Sequence, residues 1–228
     1  MSDDVHGRLM TSIVRVWDLP TRLFHWTLAA CAVALVISAQ LGGYAMAWHF
    51  RFGYAVLSLL LFRLIWGVVG GRWSRFSSFI YSPSAIYRYL QGRGTPDQVV
   101  GHNPLGAASV FALLVCLLIQ VGSGLISDDQ IANTGPLTQF VSSTTASLAT
   151  FYHKDVGQWV LMGLVALHLV AIFFYLFKKG DNLIQPMISG DKKVPDATLN
   201  SKDNALSRTL AIVILLVCMA GVAWMSGL

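Results

Sequence analysis

Five stretches of this sequence are apolar and long enough to cross a lipid bilayer as helices, which limits the possible folds sharply. A span needs about 20 mostly apolar residues, and a helix satisfies its own backbone hydrogen bonds in lipid. Charged residues make up 12% of the 228 residues, against roughly 25% in soluble proteins. We therefore predict an all-α integral membrane protein with spans at residues 23–41, 50–70, 105–126, 156–177 and 209–225.

The positions of the basic residues predict the orientation of the chain. They collect before the first span, between the second and third spans, and between the fourth and fifth, while the other two loops carry only Arg51 and Lys154. Because basic loops stay in the cytoplasm, the N-terminus is expected inside and the C-terminus, after five spans, outside. The net charge of +5 is spread over three membrane-adjacent loops, which argues against nucleic acid as a partner.

The three cysteines do not predict covalent cross-links. Cys31, Cys116 and Cys218 each fall within an apolar span, so no disulfide framework is expected. The sequence contains no C-x-x-C-H motif, which excludes a covalently attached c-type haem.

Histidines mark two depths inside the predicted bundle. His153 and His168 are fifteen residues apart in the fourth span, so both rings lean to one side, about 22 Å apart along the axis. His49 stands at the mouth of the second span and His25 enters the first. An imidazole in lipid is rare and usually functional. The alternative for each is a packed histidine hydrogen-bonded to a neighbouring helix.

An arginine and two glycines add to this pattern. Arg63 lies fourteen residues after His49 in the second span, so it faces within about 40° of it and about 21 Å deeper. An arginine in a span needs a partner, yet the chain has no glutamate and no span contains an aspartate. A haem propionate would meet that need. Gly53 and Gly157 each follow a histidine by four residues, where glycine would let a large flat ring approach the backbone.

Two loops are predicted to contain short helices. Ser82 and Pro83 are typical of a helix start, and the mixed apolar and basic residues that follow suit a helix on the membrane surface. Apolar residues recur at roughly helical spacing within residues 137–151. This pattern predicts a short amphipathic helix that covers an outer cofactor or packs against the core.

Setting aside His6 and His102 leaves four histidines at two depths, which suit two six-coordinate haems: His25, His49, His153 and His168. Two imidazoles fill both axial positions of a haem iron, which then transfers one electron and does not bind oxygen. Zinc also accepts four histidines, but not at depths this far apart.

Spacing alone leaves two candidate ligand pairs for the inner iron. His25 is only about 3 Å inside its apolar window, while His168 is about 13 Å from the inner edge of its own. Helix tilt or a longer first helix would bring them level. Otherwise His102, at the mouth of the third span beside the predicted cap Asn103, competes for the inner iron.

The chain resembles the bacterial cytochrome b561 family, which includes the b-type cytochrome subunits of nickel–iron hydrogenases, at four segments: VWDLPTRLFHW, HFRFGYAVLSLLLFRLIWGVVGGRWSRF, GHNPLG and HKDVGQWVLMGLVALH. The resemblance covers about residues 13–190. It implies a transmembrane four-helix di-haem b core in the bacterial inner membrane, exchanging electrons with the quinone pool. It also implies an inner haem held by His25 and His168 and an outer haem held by His49 and His153. In the family the two histidines of the fourth helix are often fourteen residues apart, and here they are fifteen apart.

The expected organisation follows from the spans and this resemblance. Residues 1–22 form a cytoplasmic N-terminus, 23–179 the four-helix di-haem domain, 180–208 a cytoplasmic linker and 209–228 a fifth transmembrane helix. The last helix carries neither histidine nor charge within its span, which suits packing or contact with a partner.

The leading expectation for function is electron transfer between quinone and a periplasmic redox protein, such as a c-type cytochrome or a hydrogenase. A quinone site is expected at His102 and Asn103, near the inner haem and the surface helix. One alternative is a superoxide oxidase that reduces quinone, although the acidic residues of the outer face give no clear steering of an anion. The other is a non-redox transporter or membrane scaffold.

Overall fold

The computed structural model describes residues 11–95, 98, 100–195 and 198–227, most of them helical. His6 lies outside the described residues. In chain order the strands and helices are β1 Thr11–Arg15, α1 Leu19–Leu41, α2 Met46–Val69, α3 Pro83–Leu90, α4 Pro104–Leu125, α5 Ser143–Phe151, α6 Gln158–Phe174, α7 Ile184–Ser189, β2 Asp191–Pro195 and α8 Ala205–Ser226. Within these described residues, five helical segments are long and apolar enough to cross a membrane, which agrees with the five predicted spans.

The buried carboxylate of Asp18 fixes the start of α1 against the end of α2. It caps α1 by accepting from the backbone N–H of Thr21 at 2.8 Å, as the sequence predicts for an Asp-x-Pro start. It also accepts from the indole N–H of Trp66 at 3.2 Å and the hydroxyl of Ser74 at 2.7 Å. Asp18 is therefore satisfied by hydrogen bonds within the protein.

The fourth span is one continuous helical rod. α5 passes through a π-helical segment, Tyr152–Gly157, directly into α6, and a second π-helical segment, Tyr175–Lys179, follows. The amphipathic helix expected within residues 137–151 is thus not a separate cover. Its α-helical part, α5, extends the fourth span, because no proline interrupts the chain between α5 and α6.

α2 is the centre of the bundle. It packs against α1, α4 and α8, and α4 in turn packs against α6. Val56, Leu60 and Trp66 of α2 are almost fully buried. Ala211 and Cys218 of α8 belong to the same apolar cluster, so the fifth helix is part of the core.

The all-α expectation misses a small antiparallel sheet. β1 pairs with β2 in the register Ile13 to Lys193, and α7 packs against β2. The segment 180–208, expected as a linker, therefore contains a helix and a strand. Val14, Val16, Trp17 and Val194 form a second buried cluster there. We call this side, with β1, β2 and the described residues of the loops 70–103 and 180–204, the basic end. The turn 42–45 and the loop 126–142 form the far end.

Candidate functional site

The four histidines of the spans meet as two pairs. The rings of His25 on α1 and His168 on α6 have their centres 6.5 Å apart, with an angle of 53° between the ring planes. The rings of His49 on α2 and His153 in the π-helical segment are 6.1 Å apart, at 86°. We call these the basic-end pair and the far-end pair. Each pair joins a residue of α1 or α2 to one of the fourth span.

Backbone carbonyls orient both rings of the far-end pair. Nδ1 of His49 lies 3.0 Å from the carbonyl oxygen of Leu35, and Nδ1 of His153 lies 2.8 Å from that of Gln120. A carbonyl oxygen only accepts, so Nδ1 carries the proton in both rings. Nε2 is then the nitrogen with a free lone pair, which is the arrangement of a metal-binding histidine held by an outer partner.

The basic-end pair is held differently. Nδ1 of His25 is buried and has no hydrogen-bond partner within the described part of the chain. The indole of Trp26 meets the His25 ring edge-on, with the ring centres 5.0 Å apart. Packing, not hydrogen bonding, thus sets the orientation of this imidazole.

Arg63 is a buried cation with an unmatched donor. Its side chain is 3% exposed, and its NH1 has no hydrogen-bond partner among the residues described. The guanidinium lies over the ring of Phe76, with Cζ 4.6 Å from the ring centre. A buried donor of this kind fits an anion supplied from outside the chain.

The two predicted glycines differ in their surroundings. A Cβ added at Gly53 would meet nothing within 4 Å, so the backbone is open to a close neighbour there. A Cβ added at Gly157 would collide with the amide oxygen of Gln120 and the ring of Tyr152. The space beside Gly157 is therefore taken by protein side chains.

His102 and Asn103 lie where the loop at the basic end enters α4. Asn103 caps the helix by accepting from the N–H of Gly106 at 2.8 Å, as predicted. His102 packs between Trp17 and Phe79, with ring centres 4.6 and 4.5 Å away, and its Nδ1 is buried without a partner in the described chain. Burial, followed by the nearby charges of Arg63, His168 and His25, lowers the pKa of His102 to about 3, so its imidazole is neutral at physiological pH.

A small cleft opens beside this turn. Its volume is about 150 Å³, and its lining includes Tyr81, Ile86 of α3, and Ala107 and Phe111 of α4. The hydroxyl of Tyr81 donates to the carbonyl of His102 at 2.8 Å. The cleft therefore joins the surface helix α3 to the loop that carries His102.

Sequence reasoning missed two residues near the histidines. Arg22 lies one turn before His25, and its Nε is buried without a partner among described residues. Gln120 on α4 donates from Nε2 to the carbonyl of His153 at 2.9 Å. The signal for Arg22 was its three-residue spacing before His25, whereas Gln120 stood out only as an amide within an apolar span.

Each histidine pair supplies only two nitrogen ligands, which suits a metal whose other ligands belong to its own cofactor. Across the described ranges, no three His, Cys, Asp or Glu side chains come together to hold a bare metal ion. Two imidazoles bound at about 2 Å to opposite sides of one metal have ring centres roughly 6 Å apart, close to the 6.1 and 6.5 Å observed. A haem needs only two axial ligands, and the orphaned Arg63 donor suits its propionate.

A family model described as prokaryotic cytochrome b561 matches residues 16–190, which is most of the chain. A protein of Bradyrhizobium diazoefficiens named "Probable Ni/Fe-hydrogenase B-type cytochrome subunit" is 25% identical over 219 residues, covering 80% of this chain and 87% of that protein. A similarly named subunit for hydrogenase 1 of Escherichia coli K12 is 24% identical, covering 83% of this chain and 95% of its own length. The Rhodobacter capsulatus counterpart is 24% identical, with 85% and 87% covered. No solved structure matches.

Proposed function

Because this chain belongs to the prokaryotic cytochrome b561 family, we propose that it is a di-haem b-type cytochrome carrying electrons across the bacterial inner membrane. The chain is a multi-pass membrane b-type cytochrome. Beyond that, the proposal is that His25 with His168 and His49 with His153 are the axial ligands of two haem b groups. Electrons would pass between quinone at the basic end and a periplasmic redox protein at the far end.

The two histidine pairs carry this proposal. Each pair has the ring separation that one shared metal requires, and the pairs lie about 22 Å apart along the fourth span. A haem held by two imidazoles exchanges one electron at a time and leaves no open position for oxygen. The chain's own task is then to hold two rings rigidly at each depth and to exclude water from them.

The far end is proposed to receive a periplasmic partner. The relatives are named as cytochrome subunits of nickel–iron hydrogenases, which supports a hydrogenase-like partner, with a c-type cytochrome as the other candidate. The sequence has no covalent haem motif, so the electron donor or acceptor there is another chain. The orientation is that of the positive-inside rule, with a cytoplasmic N-terminus and a periplasmic C-terminus.

Quinone is proposed to react at the basic end, near His102 and Asn103. The cleft between α3 and α4 lies beside that turn, and Nδ1 of the neutral His102 imidazole has no partner among the described residues. Such a nitrogen can donate a hydrogen bond to a quinone oxygen or accept one from the hydroxyl of the reduced ring.

Replacing single histidines tests the whole assignment. The purified wild type should hold two non-covalent haem b groups by pyridine haemochrome assay. His168→Ala should lose the basic-end haem and keep the other, because a single remaining histidine, His25, no longer holds that haem. His49→Ala should do the reverse.

His102→Ala is the comparison within the same experiment. It should keep both haems and at most slow the reaction with quinone, since its imidazole is placed outside the ligand set. A wild type with one haem, or a His102→Ala variant that loses a haem while His168→Ala keeps two, would contradict the proposed ligands.

A further inference from the structure

We propose that Gln120, on a span without a histidine, is the positioning residue for His153. Its backbone carbonyl orients the imidazole, and its side-chain amide holds the π-helical turn from which that imidazole projects. The inference rests on the proposed function, in which His153 is an axial ligand of the far-end haem.

The first contact fixes the ring. The carbonyl oxygen of Gln120 accepts from Nδ1 of His153 at 2.8 Å, and the same oxygen accepts from the hydroxyl of Ser123 at 2.9 Å. His49 is held by a similar device on α1, where the carbonyl of Leu35 accepts from its Nδ1 and from the hydroxyl of Ser38. Each far-end imidazole thus donates to a backbone carbonyl that also accepts from the serine three residues further along the chain.

The second contact is special to His153. Nε2 of Gln120 donates to the backbone carbonyl of His153 at 2.9 Å, and the amide of Gln158 donates to the next carbonyl, that of Lys154. Both carbonyls lie in the π-helical segment Tyr152–Gly157, where the regular i to i+4 ladder is interrupted. Side-chain amides therefore stabilise the irregular turn, and the one from Gln120 ties it to another helix.

The shapes of the two helices match this arrangement. A Cβ at Gly157 would strike the amide oxygen of Gln120, and a Cβ at Gly124 would lie 2.8 Å from Cε1 of His153. Glycine at Gly157 leaves room for the Gln120 side chain, and glycine at Gly124 lets the imidazole lie against α4. Gln120, Ser123 and Gly124 thus form a cradle for one ring.

The effect should be confined to one haem. Nδ1 of His25, in the basic-end pair, makes no hydrogen bond to any described residue, and Gln120 belongs to the other pair. The far-end rings are almost perpendicular, at 86°, whereas the basic-end rings are at 53°. Because the electron paramagnetic resonance spectrum of a low-spin bis-imidazole haem depends on this angle, it reports rotation of His153 directly.

The test replaces Gln120 with leucine in the full-length, haem-loaded protein. Gln120→Leu removes the amide donor but keeps the backbone carbonyl. It should shift the resonance and the midpoint potential of the far-end haem, or release that haem, while the basic-end haem keeps both values. Gln40→Leu, an exposed glutamine on α1, is the matched control and should change neither haem.

A second variant keeps the inference falsifiable if leucine disturbs assembly. Gly157→Ala leaves Gln120 in place but should push its amide away, and it should affect the same haem. The inference fails if either variant leaves both haems as in Gln40→Leu, or if it alters the two haems equally. A wild type without two haems instead overturns the proposed function, and that is measured first.

Discussion

Among single residues, Arg63 most clearly needs something that the chain does not supply. Its side chain is 3% exposed and one of its nitrogens has no partner in the described structure. Burying a charge costs several kcal/mol; contact with the Phe76 ring recovers up to about 2 kcal/mol of it, and the nearby charge of Asp18 offsets a further part. An anion beside Arg63, such as a haem propionate, would remove most of that cost.

Arg63→Leu should therefore lower the midpoint potential of the basic-end haem or release it. The sign follows from charge, because removing a nearby cation stabilises the oxidised, more positive iron. Redox titration of the purified protein measures both potentials. Arg51→Leu removes an exposed arginine that also lies over an aromatic ring, that of Trp48, and should leave the basic-end haem unchanged. Equal potentials in the two variants would contradict the role of Arg63.

Residue positions could be predicted from sequence only where the helix period alone decides them. His153 and His168 share the fourth span, so the regular helix period predicts that they lean to one side, although it cannot predict the π-helical segment that adjusts the angle between them. Gln120 and Arg22 act through contacts with other helices or loops, Gln120 with His153 and Arg22 with the carbonyl of Ile188. No local pattern in the sequence specifies such contacts.

Among the helices, the fourth span shows how an extra residue can be absorbed. Fifteen residues of regular α-helix turn His153 by about 60° relative to His168, whereas fourteen turn it by about −40°. A π-helical turn contains one residue more than an α-turn, and the segment Tyr152–Gly157 begins beside His153 and continues from it towards His168. The turn thus brings a spacing of fifteen close to the geometry of fourteen.

Deleting Asp155, an exposed residue of that turn, should therefore be tolerated. The shortened segment can form regular α-helix with the two histidines fourteen positions apart, so both haems should remain. Deleting Val165, beyond the turn, also leaves the histidines fourteen positions apart but keeps the π-turn, so His153 rotates by about 100° and the far-end haem should be lost. Haem content of the two deletion variants decides this. Equal loss in both would mean that the π-turn does not compensate for the extra residue.

Within the whole molecule, the basic end is built from segments far apart in the sequence. β1 pairs with β2 across some 180 residues of sequence. The hydroxyl of Ser201, which follows β2, donates to the carbonyl of Val16, just after β1, at 2.7 Å. The five spans were predictable because hydropathy is a local property of each window. The sheet was not, since two five-residue strands in polar segments have partners that only the assembled bundle brings together.

Asp203 links these segments to the fifth helix. Its side chain is 5% exposed and accepts from Arg15 of β1 at 2.9 Å and from Arg208 of α8 at 2.9 Å. Burial favours the neutral acid, but hydrogen bonds from Arg208, from the N–H of Leu19 and from Arg15 outweigh it and lower the pKa of Asp203 below its ordinary value of 3.8. The ionised carboxylate therefore stabilises the fold above about pH 4, and this contribution is lost as the pH falls through the lowered pKa.

Asp203→Asn should accordingly destabilise the protein near neutral pH and flatten its acid sensitivity. Charge-assisted hydrogen bonds contribute about 1.5–3 kcal/mol, so the melting temperature should fall by several degrees at pH 7. The difference from the wild type should shrink towards pH 3, where the wild-type carboxylate also loses its charge.

Two assays in detergent follow the unfolding. Cys31, Cys116 and Cys218 are all buried, so a thiol-reactive dye reports unfolding at pH 7. Loss of haem absorbance reports it across the pH range. Asp155→Asn, an exposed aspartate at the far end, is the control and should track the wild type. If Asp203→Asn has the same melting temperature as the wild type at every pH, the carboxylate does not stabilise the basic end.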